Sequence, residues 1–148
     1  MSEGKYPNLL YDVFLSYSHD DTEIMRRVNA YLSAHKLVVW ADETHIPPGH
    51  HPSWQQAIQS AIEQSCCLVV ILSPSAKSSE WIEKETRYTE IQNKQRFPIL
   101  ASGEEGNAIP IAYVSTQWID IRKAGDFPLK MDGLVQAIQE NPDFRKRS

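Results

Sequence analysis

Three stretches of this 148-residue chain carry side chains whose types and spacing could do chemistry. In SSEWIEKETRY, Ser78 to Tyr88, positions 81, 85 and 88 are spaced i, i+4 and i+7. On a helix, Trp81, Glu85 and Tyr88 then share one stripe, with a carboxylate between two aromatics. Such a stripe offers either an acid presented to a ligand or a surface charge paired with Lys84, Arg87 or Thr89. Helical spacing by itself favours the surface charge. The second stretch, HIPPGHHP at 45–52, gathers three histidines in one loop. Metal sites draw ligands from more than one rigid element, and no acid or cysteine is fixed nearby, so no metal is expected. Its prolines and Gly49 describe instead a stiff, exposed loop suited to recognition or gating. The third is the acid pair Asp20-Asp21, which suits a cation pocket or, by cap preference, a helix start.

These side chains need a frame, and the periodicity supplies one. Tyr11–Tyr17, Leu37–Trp40, Cys66–Leu72, Arg96–Leu100 and Gln117–Ile121 read as strands. Between them run helical patterns: Ile24, Val28, Tyr31 and Leu32; then Trp54, Ala57, Ile58, Ala61 and Ile62 behind a Ser53 cap. The quoted helix follows over 80–93, with Ile82, Thr86 and Thr89 or Ile91 toward the core. A last helix carries Leu129, Leu134, Val135 and Ile138. CCLVVIL is apolar on both faces, as a central parallel strand must be when helices cover each side. The alternation predicts a three-layer α/β, flavodoxin-like domain with a five-stranded parallel sheet in the order 2-1-3-4-5. Ligands of such sheets bind beyond the C-terminal strand ends, at the switch between the first and third strands. The quoted helix starts at that edge. A phospho-receiver shares this sheet order but needs an aspartate ending the third strand, and here that strand ends Leu72-Ser73-Pro74. Asp20 and Asp21 are therefore expected to cap a helix.

Composition bounds the rest. One domain over 11–140 is expected, with an N-terminal extension at 1–10 and a basic tail at 141–148 that could begin a linker. A net charge of −4 argues against a nucleic-acid partner. The longest apolar run, seven residues, is far below the roughly 20 that span a bilayer. No secretory signal is visible. Adjacent Cys66 and Cys67 point to opposite faces of a strand and make poor disulfide partners, which suits a reducing, cytoplasmic setting.

Four boxes, in order, resemble the Toll/interleukin-1 receptor (TIR) domain family, bacterial type. They are YDVFLSYSHDD; WADETHIPPGHHPSW, similar to the family's BB loop; CCLVVILSPSAKSSEWIEKE, with Ser79, Trp81 and Glu85 in the family pattern; and TQWID. The resemblance runs from about Tyr11 to Ile138 and implies one of two functions. One is cleavage of NAD+ at the nicotinamide–ribose bond, with Glu85 as the catalytic acid, NAD+ as substrate and no cofactor. Trp81, Tyr17, Ser18, His19, Asp42 and Tyr88 would then bind substrate. Products would be ADP-ribose, a cyclic variant or another conjugate, made in immune or stress signalling. The other function is a non-catalytic scaffold that self-associates through the BB loop, here Ile46, Pro47, Pro48, Gly49, His50 and His51, with Trp54 beyond. The hydrophobic residue often found after the loop's glycine is replaced by His50 or His51. A nucleoside deoxyribosyltransferase-like enzyme, also with a glutamate at a ribose, is a third reading.

Overall fold

The computed structural model describes residues 8–41 and 53–147, apart from the side chains at 53 and 54. Five parallel strands run β1 (Tyr11–Ser16), β2 (Val39–Trp40), β3 (Ser65–Leu72), β4 (Gln95–Leu100) and β5 (Ile119–Asp120). They lie in the order β2-β1-β3-β4-β5, as the alternation of patterns predicts. The helices are α1 (Thr22–Ala34), α2 (Ser53–Glu63), α3 (Pro74–Lys77), α4 (Glu80–Ile91), α5 (Glu105–Ala108), α6 (Phe127–Gln139) and α7 (Pro142–Arg147).

The period-2 alternation of the strands sorts the core into two layers. Val13, Leu15, Cys67, Val69, Ile71, Phe97 and Ile99 pack against α1 and α6 through Met25, Val28, Leu32, Met131, Leu134 and Ile138. Phe14, Leu68, Val70, Leu72 and Leu100 face the other way, against Ile58, Ala61 and Ile62 of α2 and Ile82 of α4. β3 is buried along its whole length, which accounts for its unbroken apolar run. Both cysteines are buried and unbridged, and burial pushes the Cys66 thiol up to about 11 and the Cys67 thiol well above its ordinary value. Neither supplies a thiolate at neutral pH.

Several sequence expectations give way. Leu129 is 75% exposed, because the buried stripe of α6 runs Phe127, Met131, Leu134, Val135 and Ile138 and leaves position 129 outside it. Of the two alternatives for the core face of α4, Thr89 is the buried one, as expected, and Ile91 is exposed. Ala57 faces out, and in α1 Met25 is buried beside Val28 and Leu32 while Ile24 packs on the core only partly buried. β2 and β5 shrink to two residues each, since only that many pair with their neighbours. In the basic ending, Asn141 is buried, Phe144 packs partly buried on the core and Pro142–Arg147 are helical.

Among the described residues, no helix is long and apolar enough to cross a membrane. Nor does any group of three or more His, Cys, Asp or Glu side chains there suit a metal ion.

Candidate active site

Glu85 sits in the second turn of α4, and the turn before it explains the helix. Ser79 is the N-cap; its Oγ accepts from the Ile82 backbone N–H at 3.2 Å, and Glu80 and Glu83 favour the N-terminal dipole. The buried face of α4 is Ile82, Glu85, Thr86 and Thr89, so a carboxylate occupies a core position. Glu85 is only 6% exposed. Its Oε1 accepts a 2.7 Å hydrogen bond from Ser16 Oγ, at the end of β1. Thr89 does touch Glu85, but through the backbone: its Oγ1 donates to the Glu85 carbonyl at 2.7 Å. The surface-charge account of Glu85 therefore fails on burial.

The acid lines a cleft of about 240 Å³ between α2 and α4, bounded by Gln55, Ile58, Gln59, Ile62, Trp81, Lys84 and Tyr88. Trp81 and Tyr88 thus stand on the same wall as Glu85, one turn to either side. The Lys84 ammonium lies 5.5 Å from the Trp81 ring centroid, so that ring face already attracts a cation. Tyr88 Oη donates to the Glu63 carboxylate on α2, fixing the far end of the cleft. That bond and burial both raise the Tyr88 phenol, burial more.

The remaining predicted residues are spread more widely. Tyr17 is buried with the α1/α6 layer, on the sheet face opposite Ser16 and Glu85, its ring 6.1 Å from that of His19. Ser18 caps a short turn, accepting from the Asp20 N–H at 3.4 Å, and His19 is exposed in it. Asp42, Ile46, Pro47, Pro48, Gly49, His50 and His51, and the Trp54 side chain, lie outside the described residues. Asp21 occupies the N-cap position of α1 but makes no capping bond with its side chain. It accepts from Ser73 Oγ instead, while Asp20 accepts from Ser75 Oγ at 3.0 Å. The acid pair braces the loops after β1 and β3 together, and burial raises the Asp21 carboxyl above its ordinary value.

Ser16 is the residue that reading along the sequence misses. Its signal lies in the parity of YDVFLSY: Phe14 and Ser16 share a strand face, and the second is polar where the face is otherwise apolar.

A family model described as the TIR domain matches residues 13–135. The TIR domain of the Toll-related receptor TRR-2 from Hydra magnipapillata is 21% identical, with a TM-score of 0.75, over 88% of this chain and 99% of that one. A TIR-STING receptor from C. gigas, solved with 2',3'-cGAMP, is 23% identical, with a TM-score of 0.72. The match covers 88% of this chain but 40% of that receptor. The TIR domains of the activated Roq1 resistosome are 19% identical, with a TM-score of 0.56, over 86% of this chain and 82% of that one. No curated protein matches the chain significantly. By the span and description of the family match, the chain belongs to the TIR domain family.

Proposed function

We propose that this TIR domain hydrolyses NAD+ at the nicotinamide–ribose bond, as in the NAD+-cleaving members of the bacterial type, with Glu85 as its catalytic carboxylate. The observation that carries the reading is the burial of Glu85 in a cleft it shares with Trp81 and Tyr88. Burying a carboxylate costs several kcal/mol, and an apolar side chain at that core position would be less costly to the fold. A group retained against that cost is one the protein uses.

The chemistry fits a single carboxylate. Nicotinamide departs from a pyridinium as a neutral molecule, so the general acid of ordinary glycosidases is unnecessary. Glu85 hydrogen-bonds the ribose hydroxyls and stabilises the oxocarbenium-like transition state by its charge. The Trp81 face binds a cationic or aromatic ring, worth roughly 0.5–2 kcal/mol. The cleft is smaller than the ~300–1,000 Å³ of typical ligand pockets and suits one half of the dinucleotide. Binding of the whole dinucleotide then calls for a second surface, supplied by a neighbouring copy of the chain. Assembly of TIR domains, as in the Roq1 resistosome, supports that source.

A different observation favours the scaffold reading. On the other flank of α4 a groove of about 410 Å³ is lined by Ile82, Ile91, Pro110, Ile111 and Tyr113, and Ile111 is 89% exposed. Exposed apolar surface of this kind marks contact sites.

Incubation with NAD+ at high protein concentration, resolving products by chromatography and mass spectrometry, separates the readings. Wild type should release nicotinamide, and Glu85→Gln should release at least about a hundredfold less. Equal release by both would remove Glu85 from the chemistry. No release from wild type, even with assembly forced, would leave the scaffold. Base exchange between deoxynucleosides would indicate the transferase.

A further inference from the structure

We propose that Ser16 is a positioning residue for this reaction: its hydroxyl fixes the plane of the Glu85 carboxylate. The inference rests on the glycosidic reading of Glu85 and adds the residue that makes the acid effective. The contact joins positions 69 residues apart, so it ties the strand at the sheet's switch point to the α4 helix.

Ser16 is 2% exposed and pairs in register with Val70 of β3. Its side chain shares the face of Phe14, Leu68, Val70 and Leu72, all apolar. An alanine would fill that place without desolvating a hydroxyl, and a leucine at 85 would not need one. The two polar groups are thus costly alone and explicable together. A hydroxyl donating to a carboxylate makes a charge-assisted bond, about twice as strong as a neutral one.

Two effects follow from that bond. The terminal torsion of a glutamate is broad and roughly two-fold, and anchoring Oε1 selects one orientation. The donor also sits on a strand packed on both faces, a rigid platform for holding an acid to the tolerance catalysis needs. Positive charge at the ribose develops only as the glycosidic bond breaks. An oriented carboxylate therefore acts on kcat and scarcely on KM.

Nicotinamide release is measured against NAD+ concentration for wild type, Ser16→Ala, Ser16→Thr, Ser16→Cys and Glu85→Gln, with thermal unfolding of each. Ser16→Ala should lose about 10- to 100-fold in kcat, with KM within roughly threefold and an unfolding midpoint lowered by only a few degrees, as the loss of one buried hydrogen bond requires. Ser16→Thr, which keeps the hydroxyl, should recover most of the loss; Ser16→Cys, a weak donor, should fall between Ser and Ala. Full kcat in Ser16→Ala beside a silent Glu85→Gln overturns the role of Ser16 alone. A collapsed midpoint in every Ser16 variant, with kcat and KM failing together, reduces Ser16 to packing. An active Glu85→Gln overturns this inference and the reading beneath it.

Discussion

Of the acids on α4, Glu80, Glu83 and Glu90 are exposed, and Glu85 alone is buried. Surface charges of this kind shift stability within about 0.5 kcal/mol, and these three border the groove on the other flank of α4 rather than the Glu85 cleft. Glutamine at 80, 83 or 90 should leave nicotinamide release intact, and loss of turnover in any of them would misplace the acid. Asp21 makes a second residue-scale test, because its carboxyl is raised by burial, against the lowering effect of Ser73 and with Asp20 adding repulsion. A raised acid holds its proton more tightly folded than unfolded. Its contribution is therefore favourable at low pH and is lost as pH rises from 3.8 through the folded value. Asn at 21 can still accept from Ser73 and removes the charge. Urea unfolding should show Asp21→Asn equal to wild type near pH 3 and slightly more stable at pH 7, by under about 1 kcal/mol, since the group is partly solvated. A clear loss at pH 7 would mean that the ionised form is needed.

At the scale of elements, local signals were the legible ones. The serine cap, the acidic first turn and the i, i+4, i+7 spacing place α4 and its Trp81–Glu85–Tyr88 stripe without any tertiary information. The unbroken apolar run likewise marks β3 as central. Tertiary partnerships were not legible. The Ser16–Glu85 bond spans 69 residues, and Asp21 leaves its cap role for a serine 52 residues away. Leu129 misleads because hydrophobicity was read without its angle on the helix. The same limit hides how α2 and α4 are held apart: Tyr88 Oη bonds Glu63, and Gln59 Nε2 reaches the same carboxylate at 3.4 Å. Tyr88→Phe removes this tie while keeping the ring. It should cost about 1 kcal/mol in urea unfolding. It should also raise KM for NAD+ severalfold, since the cleft loses a fixed wall. Unchanged KM with lowered stability would make Tyr88 a strut rather than part of the substrate wall.

The whole molecule is closed at the sheet edge remote from Glu85, and the closure comes from the basic ending. Asn141 Oδ1 accepts from the Phe144 N–H at 3.0 Å, starting α7, and its Nδ2 donates to Gln95 at the head of β4 at 2.9 Å. Arg147 then reaches the head of β1. Its Nη1 meets Asp12 Oδ1 at 2.5 Å, its Nε donates to the Leu9 carbonyl at 2.9 Å and its Nη2 to Leu10 at 2.7 Å. Asp12, 2% exposed, also accepts from the Val38 N–H at 2.7 Å, just before β2. One buried carboxylate thus gathers the starts of β1 and β2 and the last helix, across 135 residues of chain. Removing the guanidinium would leave that charge buried beside a backbone donor, a change that typically costs about 3–5 kcal/mol. Arg147→Ala should show a loss of that order in urea unfolding. Arg147→Lys should restore only part of it, because an ammonium cannot hold a carboxylate and two carbonyls in one fork. Per-molecule kcat at 25 °C should stay near wild type in the folded fraction, since Asp12 begins the strand that Ser16 ends. A loss below about 0.5 kcal/mol would return residues 141–147 to the role of a solvated tail.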